Sequence, residues 1–194
     1  ELAQIEAILK REYTEAPVIA ISALNGAGVD TWLDRVLTTE NAGRKITEVD
    51  YDEYAEGEAA LGWLNAVVRL QADAGTDWRL FCWSLMKAMQ KQFQEQSAEI
   101  AHLKLHLTAG ENTLVANLIS NESEPLLRGV VDSSPEEGVL LVNARARIDP
   151  ARLRTVAEKC IEEVAGAAIR TQIEDMQSFS PSRPAPTHRF RSVV

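Results

Sequence analysis

The chain is 194 residues long, 45% hydrophobic and 25% charged, with a net charge of −9. That is a globular composition, long enough to bury a core without covalent staples, and its acid excess argues against broad nucleic-acid binding, which needs a basic footprint. Two cysteines, Cys82 and Cys160, exclude a disulfide framework and an all-cysteine zinc site; no apolar run reaches the ~20 residues of a membrane span and no signal-peptide pattern opens the chain, so a cytoplasmic domain with no membrane or nucleic-acid partner is expected.

In chain order, Leu2, Ile5, Ile8 and Leu9 recur at helical spacing and Pro17 ends that register. Val18–Ile21 is a short apolar run of the kind a parallel strand buries on both faces. Asn25-Gly26-Ala27-Gly28 has turn chemistry, and Val29, Trp32, Leu33, Val36 and Leu37 mark a second amphipathic helix. One helix-strand-helix unit cannot cover both faces of Val18–Ile21. Residues 1–40 are therefore expected to be the end of a larger α/β domain, which a start at Glu1 rather than methionine fits. Residues 41–60 form a polar connector with acids at Glu48, Asp50, Asp52, Glu53, Glu56 and Glu58, a solvated linker or short helix. A hard-cation site at Asp50 and Asp52 is the sharper alternative, without the glycine and bidentate-acid spacing of a calcium loop.

From 61 to 176 the pattern is that of a fuller domain. Leu64, Ala66, Val68 and Leu70 alternate with Asn65, Arg69 and Gln71, as in a half-buried strand. Gly75-Thr76-Asp77 breaks the strand and offers a cap to a helix over 78–96, with Phe81, Leu85, Met89 and Phe93 on one side. His102–Leu107 and Thr113–Ile119 read as a hairpin about Ala109–Asn112. Leu126–Val131 is a candidate short edge strand, and Val139–Ile148 the last long strand. Asp149-Pro150 then caps a helix striped by Leu153, Val156, Ala157, Cys160, Ile161 and Val164. This order predicts an α+β sandwich, roughly ferredoxin-like, with the helices on one sheet face. Residues 177–194, rich in proline, serine and arginine, read as an extended basic tail.

Catalytic chemistry is sparse. His102 and His106 alternate along a strand about 13 Å apart, too far to share a metal. The cysteines lie among apolar helix positions, where a thiol is a core residue. No Gly-x-Ser-x-Gly elbow and no GxxxxGK[ST] phosphate loop occurs. The outward strand positions instead collect Asn65, Arg69, His102, Lys104, His106, Asn117, Asn143, Arg145 and Arg147. This is a basic face on an acidic chain, and three strands carry a mid-strand asparagine that β-propensity disfavours. It is either a wetted outer face or a candidate docking surface for an anionic partner.

The stretch Ile21-Ser22-Ala23-Leu24-Asn25-Gly26-Ala27-Gly28-Val29-Asp30 resembles the last guanine-binding motif of P-loop GTPases. The run from Val49 to Asn65 (Val-Asp-Tyr-Asp-Glu-Tyr-Ala-Glu-Gly-Glu-Ala-Ala-Leu-Gly-Trp-Leu-Asn) resembles the domain junction of CobW-like proteins, the cobalamin-synthesis and metallochaperone GTPases. Arg183-Pro184-Ala185-Pro186-Thr187-His188-Arg189 resembles the tail of that group. The resemblance implies that the chain is the carboxy-terminal half of a GTP-dependent metal-handling protein, with residues 1–40 the remnant of its P-loop α/β domain. Ser22, Ala23 and Leu24 would be its nucleotide-side positions. GTP and a divalent metal (zinc, cobalt or magnesium) are implied for the parent protein and no cofactor for this chain. The implied partners are the GTPase half of the same protein and a client metalloprotein. The alternative is a non-catalytic interaction or regulatory module without GTPase activity.

Overall fold

The computed structural model describes residues 2–39, 50–73, 75–131, 135–183 and 185. The chain divides into two compact units, Glu1–Glu48 with Thr187–Val194 and Val49–Pro186. Within the described residues lie five helices and one six-stranded antiparallel sheet, an α+β protein. Residues 41–49 of the acidic connector, and Pro184 and residues 186–194 of the tail, lie outside the described residues.

The first unit holds α1 (Leu2–Glu12) and α2 (Val29–Thr38). Both helices follow the expected apolar spacing, yet no residue of either is buried. The strand expected at Val18–Ile21 is absent: the segment is assigned to no strand and pairs with none among the described residues. β-structure needs a hydrogen-bonded neighbour, so apolar β-branched residues alone do not make a strand. Gly28 takes φ +74°, where a Cβ would run into the Ala20 carbonyl oxygen, so the turn into α2 requires glycine.

The second unit opens with α3 (Tyr51–Ala59), capped by Asp50, and continues through β1 (Gly62–Ala72), α4 (Trp78–Glu95), β2 (Ile100–Ala109), β3 (Asn112–Leu118), β4 (Leu126–Val130), β5 (Glu137–Ala146), α5 (Pro150–Ala165) and β6 (Ile169–Phe179). The strand order is β4-β3-β2-β5-β1-β6. Each of the connections β1-α4-β2 and β5-α5-β6 therefore steps over one intervening strand. The expected edge strand is β4. The sixth strand, β6, was not expected. It extends to Phe179, into the segment assigned to the tail, and β5 is consequently not the last strand.

One sheet face lies under the two long helices. Leu64, Ala66, Val68 and Leu70 of β1, Leu103, Leu105 and Leu107 of β2, and Leu140 and Val142 of β5 are buried there. They meet Phe81, Leu85, Met89 and Phe93 of α4 and Leu153, Val156, Cys160 and Ile161 of α5 in one core. The caps act as expected. Asp77 accepts the Leu80 N–H at 2.9 Å, and Asp149 accepts those of Ala151 and Arg152 at 2.9 and 3.3 Å. The one buried polar side chain among the described residues, Gln90, donates to the Asn121 and Ser123 carbonyls at 2.9 and 2.8 Å. It thereby meets the demand that buried polar groups be hydrogen-bonded.

Truncating Leu64 or Ile161 to alanine removes a side chain that is 1% exposed, so each should cost ~2–5 kcal/mol in denaturant unfolding. Amide exchange should be slow across Val67–Leu70 and fast across Val18–Ile21. Equal protection of the two segments would contradict the burial contrast between the units.

Candidate functional site

The face of the sheet away from the helices is built by strand alternation. Its register brings the mid-strand polar residues into one transverse row, in which neighbours are Asn117 of β3, Lys104 of β2, Asn143 of β5, Asn65 of β1 and Gln177 of β6. The Asn143 side-chain N–H donates to Asn65 Oδ1 at 2.6 Å. This cross-strand amide pair gives two of the disfavoured asparagines a partner.

The adjacent row runs His102, Arg145, Trp63, Phe179. The Arg145 guanidinium lies 3.7 Å from the Trp63 ring centroid, a cation–π contact. Trp63 and Phe179 are 6.1 Å apart between centroids and tilted by 42°. On the other side of the amide row, His106 sits between Val115 and Leu141, and Leu141 pairs with Val67. The face is therefore apolar at its centre as well as cationic.

Two of the candidate cations are already engaged. Arg69 is hydrogen-bonded and ion-paired to Glu174 of β6, and that bond, then the Glu174 charge, holds its guanidinium above the ordinary arginine value. Arg147 follows the end of β5, and its Nε donates to Glu99 at 3.4 Å. Lys104, His102, His106 and Arg145 remain on strands around the amide row. Trp63, Phe179 and Gln177 belong to the same face and were not among the expected residues. The last two were hidden because β6 was unread, although its outward series Arg170, Gln172, Asp175, Gln177 and Phe179 alternates on either side of an irregularity opposite Val67/Val68.

Ser22, Ala23 and Leu24 lie in the first unit, in a loop closed on itself. The Ser22 N–H donates to the Ala27 carbonyl at 2.8 Å, the Gly26 N–H to the Ser22 carbonyl at 2.8 Å, and the Ala27 N–H to Asn25 Oδ1 at 3.1 Å. Ala23 and Leu24 are exposed. The two acids considered for a cation are otherwise occupied. Asp50 Oδ1 caps α3 by accepting the Asp52 and Glu53 N–H groups at 2.8 and 3.2 Å. Those bonds, with Arg183 adding a smaller push, hold its carboxyl below the ordinary value. Arg183 Nε donates to Asp52 Oδ1 at 2.5 Å. Among the described residues no group of three or more His, Cys, Asp or Glu side chains is placed to hold a metal ion, and no helix is long and apolar enough to cross a membrane.

Burial pushes the Cys82 thiol up to about 12 and, with the nearby Glu163, that of Cys160 to about 11. Neither is poised as a nucleophile or thiolate ligand. Both should resist Ellman's reagent in the folded protein at pH 8 and react fully in denaturant. The unfolded chain releases thiol protons near pH 9, whereas the folded chain holds them to about 11 and about 12. Stability should therefore fall as pH rises through that window.

No protein-family model matches the chain, and no curated protein matches it. Among solved structures, it aligns with the Zn(II)-bound YjiA GTPase from E. coli at 13% identity and a TM-score of 0.29, covering 84% of this chain and 48% of that one. The chain thus spans about half of that protein's length, and a likeness at this TM-score carries no argument about fold or function.

Proposed function

We propose that the chain is the carboxy-terminal part of a CobW-like, GTP-dependent metal-handling protein, and that its open sheet face is the surface turned toward a partner or cargo. The observation that carries this reading is the transverse row of Asn117, Lys104, Asn143, Asn65 and Gln177 beside the Arg145–Trp63–Phe179 stack. One sheet face is consumed by α4 and α5, and the other presents amides, cations and an aromatic pair in register.

The two segments that carry the sequence resemblance support the reading by meeting. Asp52, in the run from Val49 to Asn65, is bonded to Arg183, which begins the tail motif. That run leads directly into β1 and supplies Trp63 and Asn65 to the open face. The order β6-β1-β5-β2 with two helices on one side supports a roughly ferredoxin-like core extended by the β3–β4 pair. In this reading GTP and a divalent metal belong to the parent protein. The partner of the open face is an anionic surface, on the GTPase half of the same protein or on a client metalloprotein. Exposed cations would steer it with strong salt dependence.

Lys104→Glu combined with Arg145→Glu should weaken binding to a separately expressed CobW-like GTPase domain about tenfold or more at low salt. Arg145→Lys should retain most of the affinity. Unchanged binding by the double variant, with native circular dichroism, would overturn the assignment of the face. The chain by itself should show no GTP binding by calorimetry, because phosphate contacts dominate nucleotide recognition and their glycine-lysine cradle is absent from the sequence. Micromolar affinity would contradict this.

A further inference from the structure

A second surface lies at the opposite edge of the sheet, away from β6. Strand β4 pairs with β3 and with no other strand among the described residues, so its outer edge carries unpaired backbone groups. Facing that edge is the amino-terminal half of α4. Between them runs a cleft of about 450 Å³ lined by Asp77, Arg79, Leu80, Trp83, Pro125, Leu126 and Leu127. It holds two large apolar side chains of α4 open to solvent, Leu80 at 57% and Trp83 at 42% exposed, and from β4 the half-buried Leu127, which the register sets beside the inward-facing Ala116. The groove is braced from beneath. Gln90 of α4 holds the Asn121 and Ser123 carbonyls, and Asn121 in turn bonds the Ile100 N–H at 2.7 Å and the Ala98 carbonyl at 2.8 Å. The segment leading into β4 is thus fixed to both α4 and β2.

We propose that this groove binds an extended peptide, which adds to β4 as a seventh strand, sets apolar side chains against Leu80, Trp83 and Leu127, and offers a carboxylate to Arg79. An edge strand opposite a helix provides both parts of such recognition: backbone bonds for affinity and a side-chain cleft for specificity. The charge of the site selects the occupant. Among the described residues Arg79 donates to the Gly129 carbonyl, at 3.4 Å, and meets no carboxylate. Of the described acids, Asp77 is engaged as the cap of α4 and Glu124 with Lys87 at 3.3 Å. A second copy of the chain fits poorly. Symmetric pairing of Leu126–Val130 with itself would set Arg128 directly opposite Arg128, and like charges so placed are destabilising.

The test is selection of random octapeptides displayed on phage against the full chain, followed by calorimetry on a synthesised winner. The expected result is enrichment of sequences with apolar residues at alternate positions and at least one acid. Binding should slow amide exchange at 126–130, and Arg79→Glu should weaken it about tenfold. N-methylation of alternate peptide amides, which leaves the protein untouched, should abolish it. The Lys104→Glu/Arg145→Glu variant should bind the peptide normally, so this proposal and the open-face reading fail independently. Absence of enrichment over a bead control, affinity indifferent to both Arg79→Glu and N-methylation, or protection confined to β1, β2 or β5 would each overturn the proposal.

Discussion

Strand β1 is hydrogen-bonded along both edges, to β5 over Gly62–Gln71 and to β6 over Trp63–Ala72, and the rest of the second unit is arranged about it. Its alternation drives Leu64, Ala66, Val68 and Leu70 beneath the helices, and the same alternation forces Trp63, Asn65, Val67 and Arg69 outward. Because the side-chain period is two, a slip of one residue would exchange core and surface along the whole strand. The buried leucines therefore fix the alignment of the polar row as firmly as they fix the core. Asn65 meets Asn143 because Leu64 and Val68 admit no other phase.

The two surfaces differ in kind. The open face displays side chains across strands that, from β3 to β1, are paired along both edges, so what it recognises there must be read through amides, cations and rings. The β4 groove exposes backbone as well, and its selectivity resides in Arg79 and in the aliphatic and indole walls. A polar clamp around Gln90 and Asn121 stands behind the groove, whereas Trp63 Nε1 in the stack on the open face is buried without a hydrogen-bond partner among the described residues.

Much of this architecture was legible in the sequence where local signals and tertiary packing agree. Asp77 and Asp149 announce α4 and α5 because a cap needs only neighbouring residues, and the stripes of both helices are deep core positions. The outward set on β1, β2, β3 and β5 followed from alternation alone. What stayed hidden depends on partners. Val18–Ile21 has strand-like residues but no ladder. β6 has a ladder but weak patterning, since an edge strand buries little: Thr171 is only half-buried and Ile173 is exposed. Missing β6 also meant missing Glu174, and with it the neutralisation of Arg69. The charge of a face is a property of all its strands, so one unread strand distorts the electrostatics of its neighbour.

The irregularity in β6 constrains how the strand can change in length. Val67 pairs with Asp175 and Val68 with Ile173, so Glu174 is an extra residue in the ladder, and the two halves of the strand run in opposite phase. Ile169 and Met176, an odd number of positions apart, can both be buried only because of it. A lineage that lost one residue between 173 and 176 would lengthen the regular ladder and keep both inward. A loss anywhere else in the strand would turn one half inside out. Length variation in this strand should therefore be confined to that point, and homologous sequences aligned without a gap allowed there would be misregistered over every residue on one side of it.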